Sequence, residues 1–189
     1  MKRWILALSV APFLAAAGAA IAPRPFVRDV PHSQIDFVAE SQLVDAHGTS
    51  GNWDAEIMFD AEKLETSSVV ITIDAQSINT RITQRDNHLE RNDFFATDSF
   101  PSITFKSAFI NALADDRINI TGDFTIRGRT KRITIPSRLV FFDATRSIGR
   151  VKGQTTIDRN DFGVSYQPLL NKLDPEIQLQ FDISFKPKP

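Results

Sequence analysis

The 189-residue sequence contains no cysteine. This absence excludes disulfide bonds, thiolate metal ligands, a thiol nucleophile and a lipid-modified cysteine. Glycine is scarce, with eight residues, and neither a glycine-rich phosphate loop nor a Gly-x-Ser-x-Gly elbow occurs. The three histidines, His32, His47 and His88, lack the close spacing of metal ligands. We therefore predict no metal site, no cofactor and no catalytic residue.

Basic residues are not in excess, because 22 Lys and Arg stand against 23 Asp and Glu. A protein that binds nucleic acid through its phosphates normally has a basic surface, so this balance predicts no nucleic-acid partner. Aromatic residues are unevenly represented, with 15 Phe, one Tyr and two Trp. Since Phe has no polar group, this composition favours a dry interior over a wet binding face.

The N-terminal segment has the pattern of a secretory signal peptide. Lys2 and Arg3 precede an uncharged run that contains the small residues Ala17-Gly18-Ala19, and such a sequence is typical of exported proteins. We predict that residues 1–22 are a signal peptide of undetermined cleavage position. Residues 23–189 would then form one periplasmic domain without a transmembrane span. The alternative, an uncleaved anchor, requires a longer apolar run.

Apolar and polar residues alternate from residue 33 to the end of the chain. The clearest run is Ile177 to Phe185, in which every second residue is apolar. This period of two predicts strands with one apolar face. Similar runs lie within residues 35–37, 53–59, 69–73, 103–109, 118–126, 133–141 and 151–157. We therefore predict an all-β protein of about eight antiparallel strands.

One stretch, from Thr80 to Phe95, breaks this alternation and has helix-like spacing. It predicts a short helical segment at one end of the sheet. A sheet with one apolar face must close on itself or pack against a second sheet. A closed barrel of eight strands is either filled by its own side chains or holds one small ligand. An outer-membrane barrel would carry Tyr and Trp girdles, so a soluble barrel or sandwich is preferred.

A series of motifs occurs in a recognisable order along the chain. They are His32-Ser33-Gln34-Ile35-Asp36-Phe37, Ser77-Ile78-Asn79-Thr80, Arg85-Asp86-Asn87-His88-Leu89, Asp93-Phe94-Phe95, Phe100-Pro101-Ser102-Ile103-Thr104-Phe105-Lys106-Ser107, Gly122-Asp123-Phe124-Thr125-Ile126-Arg127-Gly128-Arg129-Thr130-Lys131 and Ile157-Asp158-Arg159-Asn160-Asp161-Phe162-Gly163. Together they resemble the YceI-like family over nearly all of residues 23–189. The resemblance implies an eight-stranded antiparallel barrel of lipocalin-like architecture, and some members of the family bind a polyisoprenoid chain inside it.

Three positions depart from the pattern that the resemblance implies. Ser41 stands where many members have His, Ser50 stands near a usual Phe, and Ala55 replaces a common Gly. The substitution at position 41 bears most directly on the ligand, because it alters a polar contact at the barrel mouth.

Two groups of candidate ligand-binding residues follow. The apolar group would line the barrel, although core packing alone would also explain it. It consists of Phe37, Trp53, Ile57, Phe59, Phe105, Phe124 and Phe181. The polar group lies in the helical segment near a barrel mouth, where a phosphate or quinone head group would need donors. It consists of Arg81, Arg85, Asp86 and His88. Asp86 could instead only cap backbone N–H groups.

We interpret the chain as a periplasmic carrier that encloses a polyisoprenoid, quinone-like or related amphipathic lipid, and not as an enzyme. The first alternative is a barrel with a filled core that acts as a protein-interaction or stress-response module. The second is a hydrolase or isomerase acting on a lipid, which requires His88 and an acid within hydrogen-bond reach at the cavity. Homodimer formation is left open.

Overall fold

The structure is a computed structural model that describes residues 22–189. The predicted signal peptide therefore lies, apart from Ala22, outside the described residues. The described chain contains eleven strands and one α-helix. In chain order these are β1 (Arg24–Arg28), β2 (Gln34–Ser41), β3 (Ala46–Ser50), β4 (Trp53–Phe59), β5 (Ser68–Asp74), β6 (Ile78–Asn79), α1 (Thr83–Leu89), β7 (Ser102–Ala112), β8 (Arg117–Ile126), β9 (Arg129–Asp143), β10 (Ile148–Asp158) and β11 (Leu173–Pro187).

The strands form one closed antiparallel barrel. Neighbours around it are β1, β4, β5, β7, β8, β9, β10 and β11, and β11 returns to β1 through the pair Phe26 and Pro187. Strands β2, β3 and β6 continue β1, β4 and β5 after short interruptions, and they pair with one another and with β11. The barrel therefore has eight strands, three of them interrupted, which confirms the predicted fold class.

Strand β11 shows how the sequence produces the barrel wall. Its apolar residues alternate with exposed Gln178 and Gln180, so one face points inward and the other outward. The long strand pairs with β10 on one side and with both β1 and β2 on the other. Because β11 spans the interruption between β1 and β2, it joins the two halves of that wall.

A cluster of four phenylalanines closes one end of the barrel. Phe59 lies 5.8, 4.8 and 5.0 Å from Phe26, Phe142 and Phe185 between ring centroids. Phe26, Phe59 and Phe185 are all buried. Burying a Phe side chain stabilises the fold by roughly 1.5–3 kcal/mol. We call these four residues the aromatic plug and this end the closed end.

The opposite end, which we call the mouth, carries α1 and the longer connections. The predicted helical stretch from Thr80 to Phe95 is helical only in α1, because the chain turns after Glu90 and Phe95 N–H donates to the carbonyl of Leu89. The β2–β3 hairpin and the loop of residues 163–172 complete the rim. None of the helices within residues 22–189 has the length and apolar character needed to cross a membrane.

Candidate ligand-binding site

A cavity of about 460 Å³ occupies the mouth half of the barrel. Its wall consists mainly of inward-facing Ile and Phe side chains from eight of the strands. These are Ile35, Phe37, Ile71, Ile73, Ile78, Ile103, Phe105, Phe124, Ile126, Ile133, Ile135, Ile157, Ile177 and Phe181. Phe94, Phe95, Phe162, Leu89 and Leu173 add further apolar surface from the connections at the rim and the start of β11. The site can therefore accommodate an apolar chain.

Four of the seven predicted lining residues lie on this cavity, namely Phe37, Phe105, Phe124 and Phe181. The Phe37 ring packs directly on Gly48 of β3, and this close approach requires glycine, because a Cβ at position 48 would lie 2.2 Å from the ring. Alternation along the strands found these four residues because it identifies the inward face.

Trp53, Ile57 and Phe59 do not line the main cavity, and the sequence prediction is corrected there. Trp53 is 4% exposed and packs in the wall under the Arg28 guanidinium, whose carbon lies 4.2 Å from the indole centre. Ile57 and Phe59 line a separate pocket of about 70 Å³ nearer the aromatic plug. Strand β4 runs from mouth to closed end, so its last inward residues lie below the cavity.

Two of the four predicted mouth residues, Arg85 and His88, lie on the cavity wall. The Arg85 guanidinium donates from Nε to the Thr80 hydroxyl at 2.7 Å and from Nη2 to the Thr80 carbonyl at 2.9 Å. These bonds fix the position of a cationic group beside an otherwise apolar cavity.

The other two predicted mouth residues do not reach the cavity. Asp86 Oδ1 accepts hydrogen bonds from the Thr80 N–H, at 2.9 Å, and from the Thr80 hydroxyl. Asp86 therefore makes a local contact with the backbone of Thr80, as the alternative interpretation of the sequence predicts. Arg81 is exposed and has a φ of 67°, and its N–H donates to Asn79 Oδ1 at 2.8 Å. This tight turn directs the chain into α1 and leaves Arg81 outside the lining.

His88 forms a pair with Asp93, with 2.9 Å between Nε2 and Oδ2. The hydrogen bond from His88 lowers the pKa of Asp93 below its ordinary value, against a smaller opposing effect of desolvation. The imidazole also meets the rings of Phe94 and Tyr166, with centroids 5.0 and 4.8 Å away. Within residues 22–189, no three His, Asp or Glu side chains converge as metal ligands would.

Arg159, which was not among the predicted site residues, is a buried cation on the cavity wall, with 4% of its surface exposed. Its guanidinium donates to four backbone carbonyls, those of Val164, Tyr166, Leu173 and Asp174, at 2.6–3.3 Å. Desolvation by burial lowers the pKa of Arg159 from its ordinary value. The side chain therefore fixes both ends of the 163–172 loop.

A second arginine, Arg127, connects two similar turns across the rim. Nη1 donates to the carbonyl of Gly163 and Nη2 to that of Asn92, each at 2.6 Å. The two turns have the same sequence, Arg91-Asn92-Asp93-Phe94 and Arg159-Asn160-Asp161-Phe162, and they lie beside each other at the mouth. Their phenylalanines, Phe94 and Phe162, both line the cavity.

The three departures from the family pattern also have defined positions. Ser41 and Ser50 are on the cavity lining, and Ala55 is completely buried in the barrel wall. The Ser41 hydroxyl donates to the carbonyl of Val44 within the β2–β3 hairpin. The Ser41 hydroxyl therefore stabilises the β2–β3 hairpin by a hydrogen bond within it.

The closed barrel with an apolar cavity at one end places the protein in the class of small lipocalin-like barrels. Residues 26–185 match the YceI-like domain. Protein YceI of Escherichia coli O6:H1 is 31% identical over 142 residues, which is 74% of each chain. The chain therefore belongs to the YceI-like family.

Two solved structures share the fold. BcnA of Burkholderia cenocepacia has a TM-score of 0.76 and 24% identity, over 83% of this chain and 98% of BcnA. A polyisoprenoid binding domain from Saccharophagus degradans, implicated in plant cell wall breakdown, has a TM-score of 0.69 and 14% identity. That match covers 86% of this chain and 98% of the Saccharophagus domain.

Proposed function

We propose that the protein is a periplasmic carrier that binds a polyisoprenoid, quinone-like or related amphipathic lipid. The observation that carries the proposal is the apolar cavity of about 460 Å³ at the mouth. This volume is within the range of ligand sites, roughly 300–1,000 Å³. The polyisoprenoid binding of the Saccharophagus domain, which shares the fold, supports the same class of ligand.

The tail of the lipid would be held by desolvation alone. An isoprenoid chain has no hydrogen-bonding group, and its burial is worth roughly 25 cal/mol for each Å² of apolar surface. The aromatic plug blocks the closed end. The tail must therefore enter from the mouth, and the polar head group stays at the rim.

The head group would meet the few polar groups of the wall. Arg85 offers a cationic donor, and His88 offers the ring nitrogen Nδ1, since Asp93 holds Nε2. Both side chains are already oriented by neighbours within the protein. The preorganised Arg85 guanidinium selects a phosphate or carbonyl head group without a large ordering cost.

The alternative of a filled barrel that acts through its surface requires a packed interior. The cavity favours the carrier over that alternative.

A second candidate function has one observation in its favour. His88 and Asp93 are within hydrogen-bond distance at the cavity, which is the geometry that acid–base chemistry on a bound lipid requires. Liquid chromatography coupled to mass spectrometry of an added lipid, before and after prolonged incubation, separates the two functions, because it resolves isomers as well as hydrolysis products. A carrier returns the lipid unchanged, whereas a hydrolase or isomerase yields a product that disappears in His88→Ala.

Lipid uptake tests the carrier proposal directly. We would add a detergent-solubilised polyprenyl phosphate to the purified protein and count bound molecules by native mass spectrometry. Leu179 lines the cavity, so Leu179→Trp fills space that the tail needs and is expected to weaken uptake at least tenfold. Thr156→Trp is the matched control, because Thr156 is exposed on the neighbouring strand β10. Equal uptake by the folded variants would contradict the cavity as the binding site.

Export is a separate part of the proposal and rests on residues 1–22. N-terminal sequencing of the protein from a periplasmic extract is expected to show a chain shortened by about that length. A full-length chain in the cytoplasmic fraction would contradict it.

A further inference from the structure

The four most exposed large apolar side chains of residues 22–189 lie at the mouth. Leu169 and Leu170 have relative exposures of 102% and 87%, and Leu43 and Val44 have 71% and 64%. Leu169 and Leu170 are in the 163–172 loop, and Leu43 and Val44 are in the β2–β3 hairpin. We call these four residues the rim patch.

Hydrogen bonds join the two segments of the rim patch. The Leu43 N–H donates to Asn171 Oδ1 at 2.9 Å, and the Gln42 N–H donates to the carbonyl of Lys172 at 3.0 Å. Arg159 fixes the ends of the same loop through backbone carbonyls. The exposed leucines are therefore presented by two loops that are held together.

The rim patch is continuous with the cavity. Val44 itself, together with Pro168 and Asn171 from the same two segments, lies on the cavity lining. A surface that covers the rim patch would consequently face the cavity opening.

The charges around the rim patch indicate what covers it. Residues 42–44 and 165–171 contain no charged side chain, so their insertion into an apolar phase requires no desolvation of a charge. The exposed Lys172 follows directly, and the Asp45 carboxylate accepts the N–H of Ser41. The exposed Lys172 and Asp45 carry opposite charges, and an uncharged apolar tip above such charged residues matches the boundary between the apolar interior of a bilayer and its polar head groups.

We propose that the rim patch docks the protein on a phospholipid membrane, with the cavity mouth toward the bilayer. This inference rests on the proposed carrier function, because a lipid that moves between bilayer and cavity then avoids crossing water. Two adjacent leucines that protrude almost completely also suit a soft lipid layer, whereas a protein partner needs a complementary pocket.

Vesicle flotation tests the docking. Vesicles of phosphatidylcholine and phosphatidylglycerol are mixed with the full protein and with the double variant Leu169→Ser/Leu170→Ser. Since complete burial of each leucine corresponds to roughly a tenfold change in partitioning, the variant is expected to bind vesicles at least tenfold more weakly. Leu113→Ser is the control, because Leu113 is 48% exposed in the β7–β8 hairpin at the closed end. It is expected to bind as the unchanged protein does.

Uptake of polyprenyl phosphate from detergent is measured on the same samples. Equal uptake by all three proteins, with vesicle binding lost only in the double variant, supports docking. Uptake without vesicle binding by the unchanged protein overturns docking and leaves the carrier function intact. Self-association that disappears in the double variant, again without vesicle binding, also overturns it and identifies a second copy as the partner. Leucine-dependent vesicle binding without uptake supports docking and contradicts the carrier function.

Discussion

The two ends of the barrel are built from different side chains. The closed end contains the aromatic plug, whose four rings pack against one another, and a residual pocket of about 70 Å³. The mouth contains arginines that bind backbone carbonyls, the His88–Asp93 pair and a cavity of about 460 Å³. The closed end is therefore packed with aromatic side chains that stabilise the fold, whereas the mouth contains the cavity and is held at its rim by hydrogen bonds.

This difference leads to a large effect on stability when the plug is opened. Phe59 is 8% exposed and contacts the other three rings of the plug. We expect Phe59→Ala to reduce the free energy of unfolding by roughly 3–5 kcal/mol, measured by urea denaturation. Polyprenyl uptake by the folded variant should stay within about twofold, as Phe59 lies outside the main cavity. If the folded variant lost much more than twofold in uptake, the closed end would also contribute to lipid binding, which contradicts the separate roles of the two ends.

The mouth has its own structural residue in Arg159. Removing its guanidinium in Arg159→Met leaves four backbone carbonyls without that donor, among them the carbonyl of the buried Val164. We expect a loss of about 3 kcal/mol in the free energy of unfolding and faster proteolysis within residues 163–172. Arg146→Met is the control, because the Arg146 side chain is 77% exposed. If both variants were equally stable, Arg159 would not hold the loop.

The wall between the ends carries an ion pair that gives a smaller, pH-dependent effect. Asp182 accepts two hydrogen bonds from Arg150, at 2.8 and 2.6 Å, and the Lys152 ammonium lies 3.0 Å away. The hydrogen bond from Arg150 lowers the pKa of Asp182 below its ordinary value, with desolvation opposing it. We expect Asp182→Asn to cost about 1 kcal/mol at pH 7.

The sign of the pH dependence follows from that lowered pKa. The folded protein keeps Asp182 ionised to a lower pH than the unfolded chain does, so the contribution is complete above about pH 5. It decreases as the pH falls below about 4 and is lost below the pKa of the folded state. Urea denaturation from pH 7 to 3 should therefore show the two proteins converging in stability. If the two proteins kept the same difference in the free energy of unfolding from pH 7 to 3, the ionised Asp182 would not be its source.

The smallest expected stability effect concerns His88 at the mouth. His88→Ala removes the bond to Asp93 and two ring contacts, but the His88 side chain is 32% exposed. We expect a loss of about 1 kcal/mol or less in the free energy of unfolding. Hydrogen exchange should accelerate in the turn of residues 91–97, whereas the aromatic plug should be unaffected. Faster exchange at both ends would show that the ends are coupled.

The fold could be predicted from the sequence because each long strand has one apolar face. Strands such as β8 and β11 alternate clearly, whereas β1, with the sequence Arg-Pro-Phe-Val-Arg, and β3, with Ala-His-Gly-Thr-Ser, do not. Those two strands are specified by pairing with neighbours, which a local pattern does not reveal. The aromatic plug was also missed, because Phe26 and Phe142 are distant in sequence and meet only after closure.

The binding site could be predicted only in part for a related reason. Alternation identifies the inward face of a strand but not the depth of a residue along the barrel axis. Phe124 and Phe59 were therefore both predicted to line the cavity, although only Phe124 does. Among the polar residues, the break in alternation at residues 80–95 directed the prediction to the helical segment, and Arg85 and His88 of that segment lie on the cavity lining. The break gave no sign that Arg159, 74 residues after Arg85, folds back to the same rim. The position of Arg159 at the rim depends on closure of the barrel, which brings residues distant in sequence together.

The most direct test of the carrier function is native mass spectrometry of the protein isolated gently from the cells that produce it, followed by extraction of any bound molecule. The function predicts one isoprenoid, quinone-like or related lipid for each protein molecule, retained by Thr156→Trp and lost from Leu179→Trp. A protein that is repeatedly empty, and that also fails to take up added polyprenyl phosphate, would contradict it.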